Sequence, residues 1–336
     1  MNRILGMLAS VAAAICLVGC REEATTAPSP GGKAGGKAVT VGMMPKLVGI
    51  PYFNACRQGA EEAAKELGVR LVYDGPITAD VNKQAEMLDT WIIRKMDVLA
   101  VAPNDPHALA PTLKKAMKKG LSVLTWDADS DEDSRNFFVN QATYEQIGYA
   151  LVDVMAAEIG GKGDVAIITG TLTAANQNKW MEQMRKRIAD AHPGLNIVAV
   201  KAPGEDQDKA YQVTRDLLRA APDLKGIFGI TSVALPGAAK AVQDAGMSGK
   251  IAVTGLATPK DMRKFVDDGT VKTVVLWSPV DLGYLTVYAA RRLADDGKIP
   301  EEFEAGRLGK ITRVGTHILL GPPLRFTREN IARFDF

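Results

Sequence analysis

Continuous apolar segments that alternate with amphipathic helices constrain the fold of this chain most strongly. From Val39 onward the order is strand, helix, strand, helix, and segments such as MDVLAVAP and GDVAIITG are apolar at consecutive positions rather than at every second one. Strands of this kind are buried on both faces, as in a parallel sheet that helices cover on both sides. The sequence therefore predicts an α/β fold built on parallel sheets.

A repeated pattern indicates two similar domains. Residues 98–129 and residues 226–258 each contain a strand, a polar turn, a proline-bearing helix, a glycine, a second strand and a polar exit. A chain of 336 residues is also longer than most single cores. We therefore predict two doubly wound parallel-sheet domains with a ligand cleft between them, since open α/β sheets bind ligands at the carboxyl ends of their strands.

The first 38 residues have the composition of an export signal followed by a tether. MNRILGMLASVAAAICLVGC places one early cation before an apolar run that is too short to span a membrane. LVGC is similar to a bacterial lipobox, in which the cysteine becomes the lipidated first residue; the alternative is an ordinary signal with a chance cysteine. We predict a lipoprotein signal peptide over residues 1–20, lipidation of Cys20, and a flexible tether over residues 21–38. The protein would then be exported and anchored to a membrane, on its periplasmic side or at the cell surface.

Several classes of function are disfavoured by the sequence. The net charge is +2 without a basic block, so nucleic acid is not an expected partner. No histidine has a metal-binding spacing, and GxSxG, P-loop and GxGxxG motifs are absent from the sequence, so we expect no enzyme activity, cofactor or metal. Cys56 is predicted to be a small buried hydrophobe. The acidic segment EDQDK at residues 205–209 is interpreted as a solvated loop.

Polar and aromatic side chains follow six of the predicted strands. Each has a simpler explanation when taken alone: Asp105 has the position of a helix cap, and Trp126 that of a core residue. Together they suit a neutral polyhydroxyl ligand, because carboxylates and amides bind hydroxyl pairs and aromatic faces cover the C–H side of a sugar ring. The candidate ligand-binding residues are Lys46, Tyr52, Phe53, Asp105, Trp126, Asp127, Asp129, Asn176, Gln177, Trp180, Ser232 and Trp277.

The lipobox, the duplicated halves and these strand exits resemble the type I periplasmic sugar-binding proteins of ABC importers. The segments that are similar to the autoinducer 2-binding and rhamnose-binding subgroup are PKLVG, YDGP, LTWDAD, VNQAT, NQNKW, ALPGAA, GTVK, LW and FTRENIARFDF. The resemblance implies polar ligand contacts from Lys46, Asp127 and Gln177. It also implies an aromatic wall made of Tyr52, Phe53 and Trp277.

Three positions depart from the pattern of the autoinducer 2 binders. Asn176 stands where that subgroup has an aspartate, and Ile230 and Ser232 stand where it has a proline and an alanine. The first change removes one anion, and the last adds a hydroxyl. A pentose, a deoxyhexose or another small sugar is therefore at least as well suited to this chain as autoinducer 2.

The resemblance also implies a domain map and a function. The chain would cross between lobes near Gln141, near Ser278 and around residues 309–313. That gives a first lobe of residues 39–140 plus 279–310 and a second lobe of residues 141–278 plus 311–336. The implied protein is a monomeric, lipid-anchored receptor without a cofactor, which captures a small sugar and delivers it to an ABC permease in the inner membrane. The alternative is a sensor that presents its closed form to a membrane signalling receptor.

Overall fold

The computed structural model describes residues 39–336, so the predicted signal peptide, the tether and Cys20 lie outside the described residues. The strands of the described part are β1 Thr40–Met44, β2 Arg70–Tyr73, β3 Val98–Val101, β4 Ser122–Trp126, β5 Phe137–Asn140, β6 Lys162–Ile168, β7 Gly194–Lys201, β8 Leu224–Gly229, β9 Ala252–Gly255, β10 Val274–Leu276, β11 Glu302–Glu304, β12 Lys310–Val314, β13 His317–Leu319 and β14 Leu324–Phe326. The α-helices are α1 Pro51–Leu67, α2 Val81–Ile93, α3 Pro106–Lys118, α4 Tyr144–Ile159, α5 Ala175–Ala191, α6 Gln207–Ala220, α7 Ala234–Asp244, α8 Pro259–Asp267 and α9 Pro279–Asp296.

The first lobe is built on an eight-stranded sheet with the order β11-β12-β13-β5-β4-β3-β1-β2. Its central strands are parallel and buried on both faces, as the apolar runs predict. Strand β3 shows this clearly. Val98 and Ala100 pack into one hydrophobic cluster, which includes residues of α1 and α9. Leu99 and Val101 pack into a second cluster, which includes residues of α2 and α3.

The second lobe repeats this arrangement on a smaller scale. Its parallel sheet has the order β7-β6-β8-β9, and α4 to α8 accompany it along the chain. A two-stranded antiparallel sheet, β10 with β14, adjoins it through an isolated bridge between Leu256 and Val275. The prediction of an α/β fold with two similar doubly wound units is therefore confirmed.

The third predicted crossing between the lobes is displaced in the structure. Strand β13 pairs in parallel with β5, and β12 pairs with β13, so both belong to the first sheet. Only β14 joins the second lobe, which places the crossing between Leu319 and Leu324. The assignment of residues 311–319 to the second lobe is wrong, because β12 and β13 continue the first sheet. Strand β13 covers an edge of β5 that would otherwise be unpaired.

Within residues 39–336, no helix is both long enough and apolar enough to cross a membrane.

Candidate functional site

A cavity lies between the lobes, where the carboxyl ends of strands from both sheets meet. The first lobe contributes Lys46, Ile50, Tyr52, Phe53 and Asp127. The second lobe contributes Asn176, Gln177, Trp180, Glu205, Ile230, Thr231, Ser232, Leu256, Leu276 and Trp277. The structure thus brings together most of the predicted site residues, but not Asp105, Trp126 or Asp129.

Lys46 follows β1 and points a buried ammonium group across the cleft. Lys46 is only 4% exposed, and its Nζ donates a hydrogen bond to Asn176 Oδ1 over 2.9 Å. Asn104 Nδ2 donates to the backbone oxygen of Lys46 over 2.7 Å and fixes the strand exit. An ammonium group has three donors, so Lys46 retains donors for a ligand oxygen.

Asp127 is the buried carboxylate of the first lobe. Its φ of 62° lies in the left-handed region, which asparagine and aspartate tolerate better than most residues. The backbone oxygen accepts hydrogen bonds from Gln141 Nε2 and Asn176 Nδ2, which hold this conformation. Burial raises the pKa of Asp127, and the charge of Lys46 offsets part of that rise. Desolvation therefore outweighs the attraction between the two charged groups.

A relay of hydrogen bonds orients the Asp127 carboxylate. Trp277 Nε1 donates to the Tyr52 hydroxyl oxygen over 2.9 Å, and the Tyr52 hydroxyl donates to Asp127 Oδ1 over 2.7 Å. Because Trp277 precedes the crossing into α9 and Tyr52 lies in α1, the relay joins residues that are far apart in sequence. It leaves the other carboxylate oxygen of Asp127 available to a ligand.

Aromatic rings form one wall of the cavity. Tyr52 and Trp277 are perpendicular, with ring centroids 6.0 Å apart, and Tyr52 makes a similar edge contact with Phe53 at 5.1 Å. Trp180 lies 5.9 Å from Trp277. Such rings offer apolar faces to the C–H side of a sugar ring.

The second lobe presents a fixed pair of amides. Asn176 Oδ1 accepts from Lys46 Nζ and also from the backbone N–H of Gln177. Gln177 Oε1 accepts from Thr169 Oγ1 over 2.6 Å and from the Gly170 N–H over 2.7 Å. These two donors define the orientation of the Gln177 amide, so its Nε2 must face the other way, toward Glu205.

Glu205 is a cavity residue that the sequence interpretation missed. Its Oε1 accepts a hydrogen bond from Gln177 Nε2 over 2.9 Å. The interpretation of EDQDK as a solvated loop is therefore wrong for this residue. Glu205 follows β7, and the carboxyl end of β7 lies at the same sheet edge as the other exits. The rule that selected the other candidates would have selected Glu205 if it had been applied to this strand.

Three predicted ligand contacts have structural roles outside the cavity. Asp105 caps α3, since its Oδ1 accepts from the backbone N–H groups of His107 and Ala108. Trp126 is fully buried, with its Nε1 donating to the Met44 oxygen. Asp129 forms a two-bond ion pair with the buried Arg135, at 2.8 and 2.7 Å. All three follow or end cleft-directed strands, but their side chains are occupied by capping, packing and pairing.

No group of three or more His, Cys, Asp and Glu side chains within residues 39–336 could hold a metal ion. What this cavity offers instead is one cation, two carboxylates, two amides and a wall of rings. Such a set is suited to accept hydrogen bonds from hydroxyl groups and to donate them to hydroxyl or carbonyl oxygens.

The chain belongs to the periplasmic binding protein family. Residues 41–299 match the family model described as a periplasmic binding protein domain. Members of this family are binding components of transport systems, so the protein is a periplasmic sugar-binding component of the ABC-transporter type and not an enzyme.

Individual relatives agree with this assignment. An ABC transporter solute-binding protein from Clostridium phytofermentas, solved with bound L-rhamnose, is 32% identical, with a TM-score of 0.84 over 89% of this chain and 98% of its own. LsrB from Clostridium saccharobutylicum, solved in complex with AI-2, is 25% identical, with a TM-score of 0.85 over 89% of this chain and 100% of its own. The D-allose-binding periplasmic protein of Escherichia coli is 26% identical over 71% of this chain and 79% of its own.

Proposed function

We propose that the protein is a lipid-anchored receptor that captures one small sugar between its lobes and delivers it to an ABC permease. The observation that carries the proposal is the two-sided cavity. Lys46 and Asp127 reach it from the first lobe, and Asn176 and Trp277 reach it from the second. A ligand that contacts both lobes gains contacts in the closed form that an open form lacks, so binding favours closure.

The proposed ligand is a deoxyhexose or a pentose. Support comes from the cavity chemistry, which combines hydrogen-bonding groups with apolar rings, and from the relative that was solved with L-rhamnose. Ile230 and Ser232, which depart from the autoinducer 2 pattern, both line the cavity. Asn176 replaces a carboxylate with an amide beside Lys46, which changes the charge available to a ligand.

A thermal-shift screen tests the ligand class. The probes are L-rhamnose, D-ribose, D-arabinose, D-allose and autoinducer 2. A ligand that binds only the folded state raises the melting temperature, so we expect L-rhamnose, D-ribose or D-arabinose to do so. A rise with autoinducer 2 alone would replace the sugar with that molecule. No rise with L-rhamnose, D-ribose or D-arabinose would contradict the proposed ligand class.

A sensor is the second candidate function. The similarity to LsrB, which was solved in complex with AI-2, favours a sensor, because a sensor would have a signalling molecule as its ligand. Delivery and sensing differ in their effect on cells that lack the protein. Loss of sugar uptake supports delivery. Intact uptake with loss of the transcriptional response to the ligand supports sensing.

Lipid anchoring is proposed from Cys20, which lies outside the described residues. Cells that express the wild type and the Cys20→Ala variant can be separated into membrane and soluble fractions. We expect the wild type in the membrane fraction and Cys20→Ala outside it, with the intact mass of the wild-type N-terminus showing the added lipid. A soluble wild type with an unmodified N-terminus contradicts the anchor.

A further inference from the structure

Glu205 has a carboxylate oxygen to spare in the cavity. Its Oε1 is held by Gln177 Nε2, and no other hydrogen bond to its side chain occurs in the described part of the chain. Gln177 cannot rotate away, because Thr169 and Gly170 donate to its oxygen. Glu205 is thus oriented by a rigid partner while Oε2 remains free for a ligand.

A glycine makes room for this carboxylate. A Cβ atom at Gly170 would lie 2.2 Å from Glu205 Oε1 and 2.8 Å from its carboxyl carbon. Any side chain at residue 170 would therefore displace Glu205 from Gln177. The absence of a side chain at Gly170 thus leaves the space that the Glu205 carboxyl group occupies.

Asp127 forms the counterpart in the other lobe. Its Oδ1 accepts from Tyr52, and within residues 39–336 its Oδ2 has no hydrogen-bond partner. The cavity thus holds one carboxylate with a free oxygen on each side. Lys46 is the cation among the lining residues. Two carboxyl groups and one ammonium group therefore line the cavity, so its acidic groups outnumber its cation.

We propose that Glu205 binds the ligand directly and restricts the protein to neutral polyhydroxylated ligands. One ligand hydroxyl donates to Asp127 in the first lobe, and a second hydroxyl at the opposite end donates to Glu205 in the second lobe. Lys46 donates to an oxygen between them. Sugar acids and sugar phosphates bring an anion next to two carboxylates, so they are rejected. This inference rests on the proposed function.

Isothermal titration calorimetry of three proteins tests the inference. The proteins are the wild type, Glu205→Gln and Glu182→Gln, where Glu182 is an exposed glutamate on α5 that pairs with Lys179. The probes are L-rhamnose, D-ribose and D-allose, each beside its aldonic acid. We expect Glu205→Gln to weaken the binding of the preferred neutral sugar at least tenfold. The ratio of the affinity for this sugar to the affinity for its aldonic acid should also be smaller in Glu205→Gln than in the wild type. Glu182→Gln should match the wild type.

A second variant reaches the same carboxylate without changing it. Gly170→Ala should displace the Glu205 carboxyl group from the cavity and weaken the binding of the same sugar at least tenfold. Circular dichroism should show that the fold is retained. Wild-type affinity in Glu205→Gln, with the preference for neutral sugars intact, overturns the inference alone. A wild type that binds none of the neutral sugars overturns the proposed function, and the inference with it.

Discussion

At the scale of single residues, binding and stability make opposite demands on Asp127. Its carboxylate is buried, and desolvation raises its pKa above the ordinary value of 3.8. The folded protein therefore holds the proton more tightly than the unfolded chain does. The free energy of unfolding falls as the pH rises from 3.8 through the raised pKa of Asp127. Above that pKa the carboxylate is ionised in both states, and the full loss of stability is present. The charge that would bind a ligand hydroxyl thus destabilises the empty protein.

Asp127→Asn should separate these two effects. Asparagine tolerates the left-handed backbone and keeps an oxygen for Tyr52, so the fold should remain. We expect calorimetry at pH 7 to show sugar affinity reduced roughly 30-fold, or about 2 kcal/mol, because a charged partner is lost. The ligand-free variant should melt above the wild type at pH 7, with the difference shrinking toward pH 4. Unchanged affinity would remove Asp127 from the binding site.

Glu158, at the end of α4, shows the same effect away from the cavity. One of its carboxylate oxygens is buried without a hydrogen-bond partner. Burial raises the pKa of Glu158 to about 7, with the charge of Lys272 and a hydrogen bond from Thr273 opposing the rise. Stability is therefore lost as the pH rises from 4.5, the ordinary value, to about 7.

Glu158→Gln removes this titration. We expect the variant to melt several degrees above the wild type at pH 8 and to match it at pH 5, where the wild-type carboxyl is mostly protonated. Differential scanning calorimetry across this range provides the measurement. An equal shift at both pH values would show that the effect is not electrostatic.

At the scale of elements, the contact between α1 and α9 holds the aromatic wall in place. The two helices cross at Gly59 and Gly283. A Cβ atom would lie 1.7 Å from the Val280 oxygen at Gly59 and 1.8 Å from the Cys56 oxygen at Gly283. Tyr52 and Phe53 lie in the first turn of α1, so the separation between these helices sets the position of both rings. The sequence contains both glycines, but it does not show that they meet at one crossing point.

Gly283→Ala should force the two helices apart. Overpacking of this kind costs about 2 kcal/mol or more, so we expect a lower urea midpoint and weaker sugar binding together. Asp296→Ala, at an exposed position on the same helix, provides the control. A normal midpoint in Gly283→Ala would mean that the crossing yields without strain.

At the scale of the whole molecule, direct hydrogen bonds join the lobes across the cavity. Lys46 bonds to Asn176, Tyr52 to Trp277, and the Asn176 amide to the Asp127 backbone. Each bond pairs a group from one lobe with a group from the other. The proposed closure would therefore depend on the same side chains that would contact the ligand.

Lys46→Met should uncouple ligand from closure. Methionine fills the space of the lysine stem but supplies no donor to Asn176 or to a ligand oxygen. We expect small-angle scattering to show that sugar reduces the radius of gyration of the wild type. At the same sugar concentration it should leave Lys46→Met unchanged. A variant that still contracts would show that Lys46 is dispensable for closure.

The sequence by itself determined the α/β class, the duplication and most of the residues at the cavity. Continuous apolar strands and helix signals such as Gly68, which ends α1 in the left-handed conformation, depend on residues that are close together in the sequence. Only the tertiary structure decided which strand exits point their side chains into the cavity. Asp105 and Asp129 have the right positions but different partners, while Glu205 reaches the cavity through a space left by Gly170. It also decided the sheet for β13, because a short strand pairs with whichever edge the assembled fold leaves open.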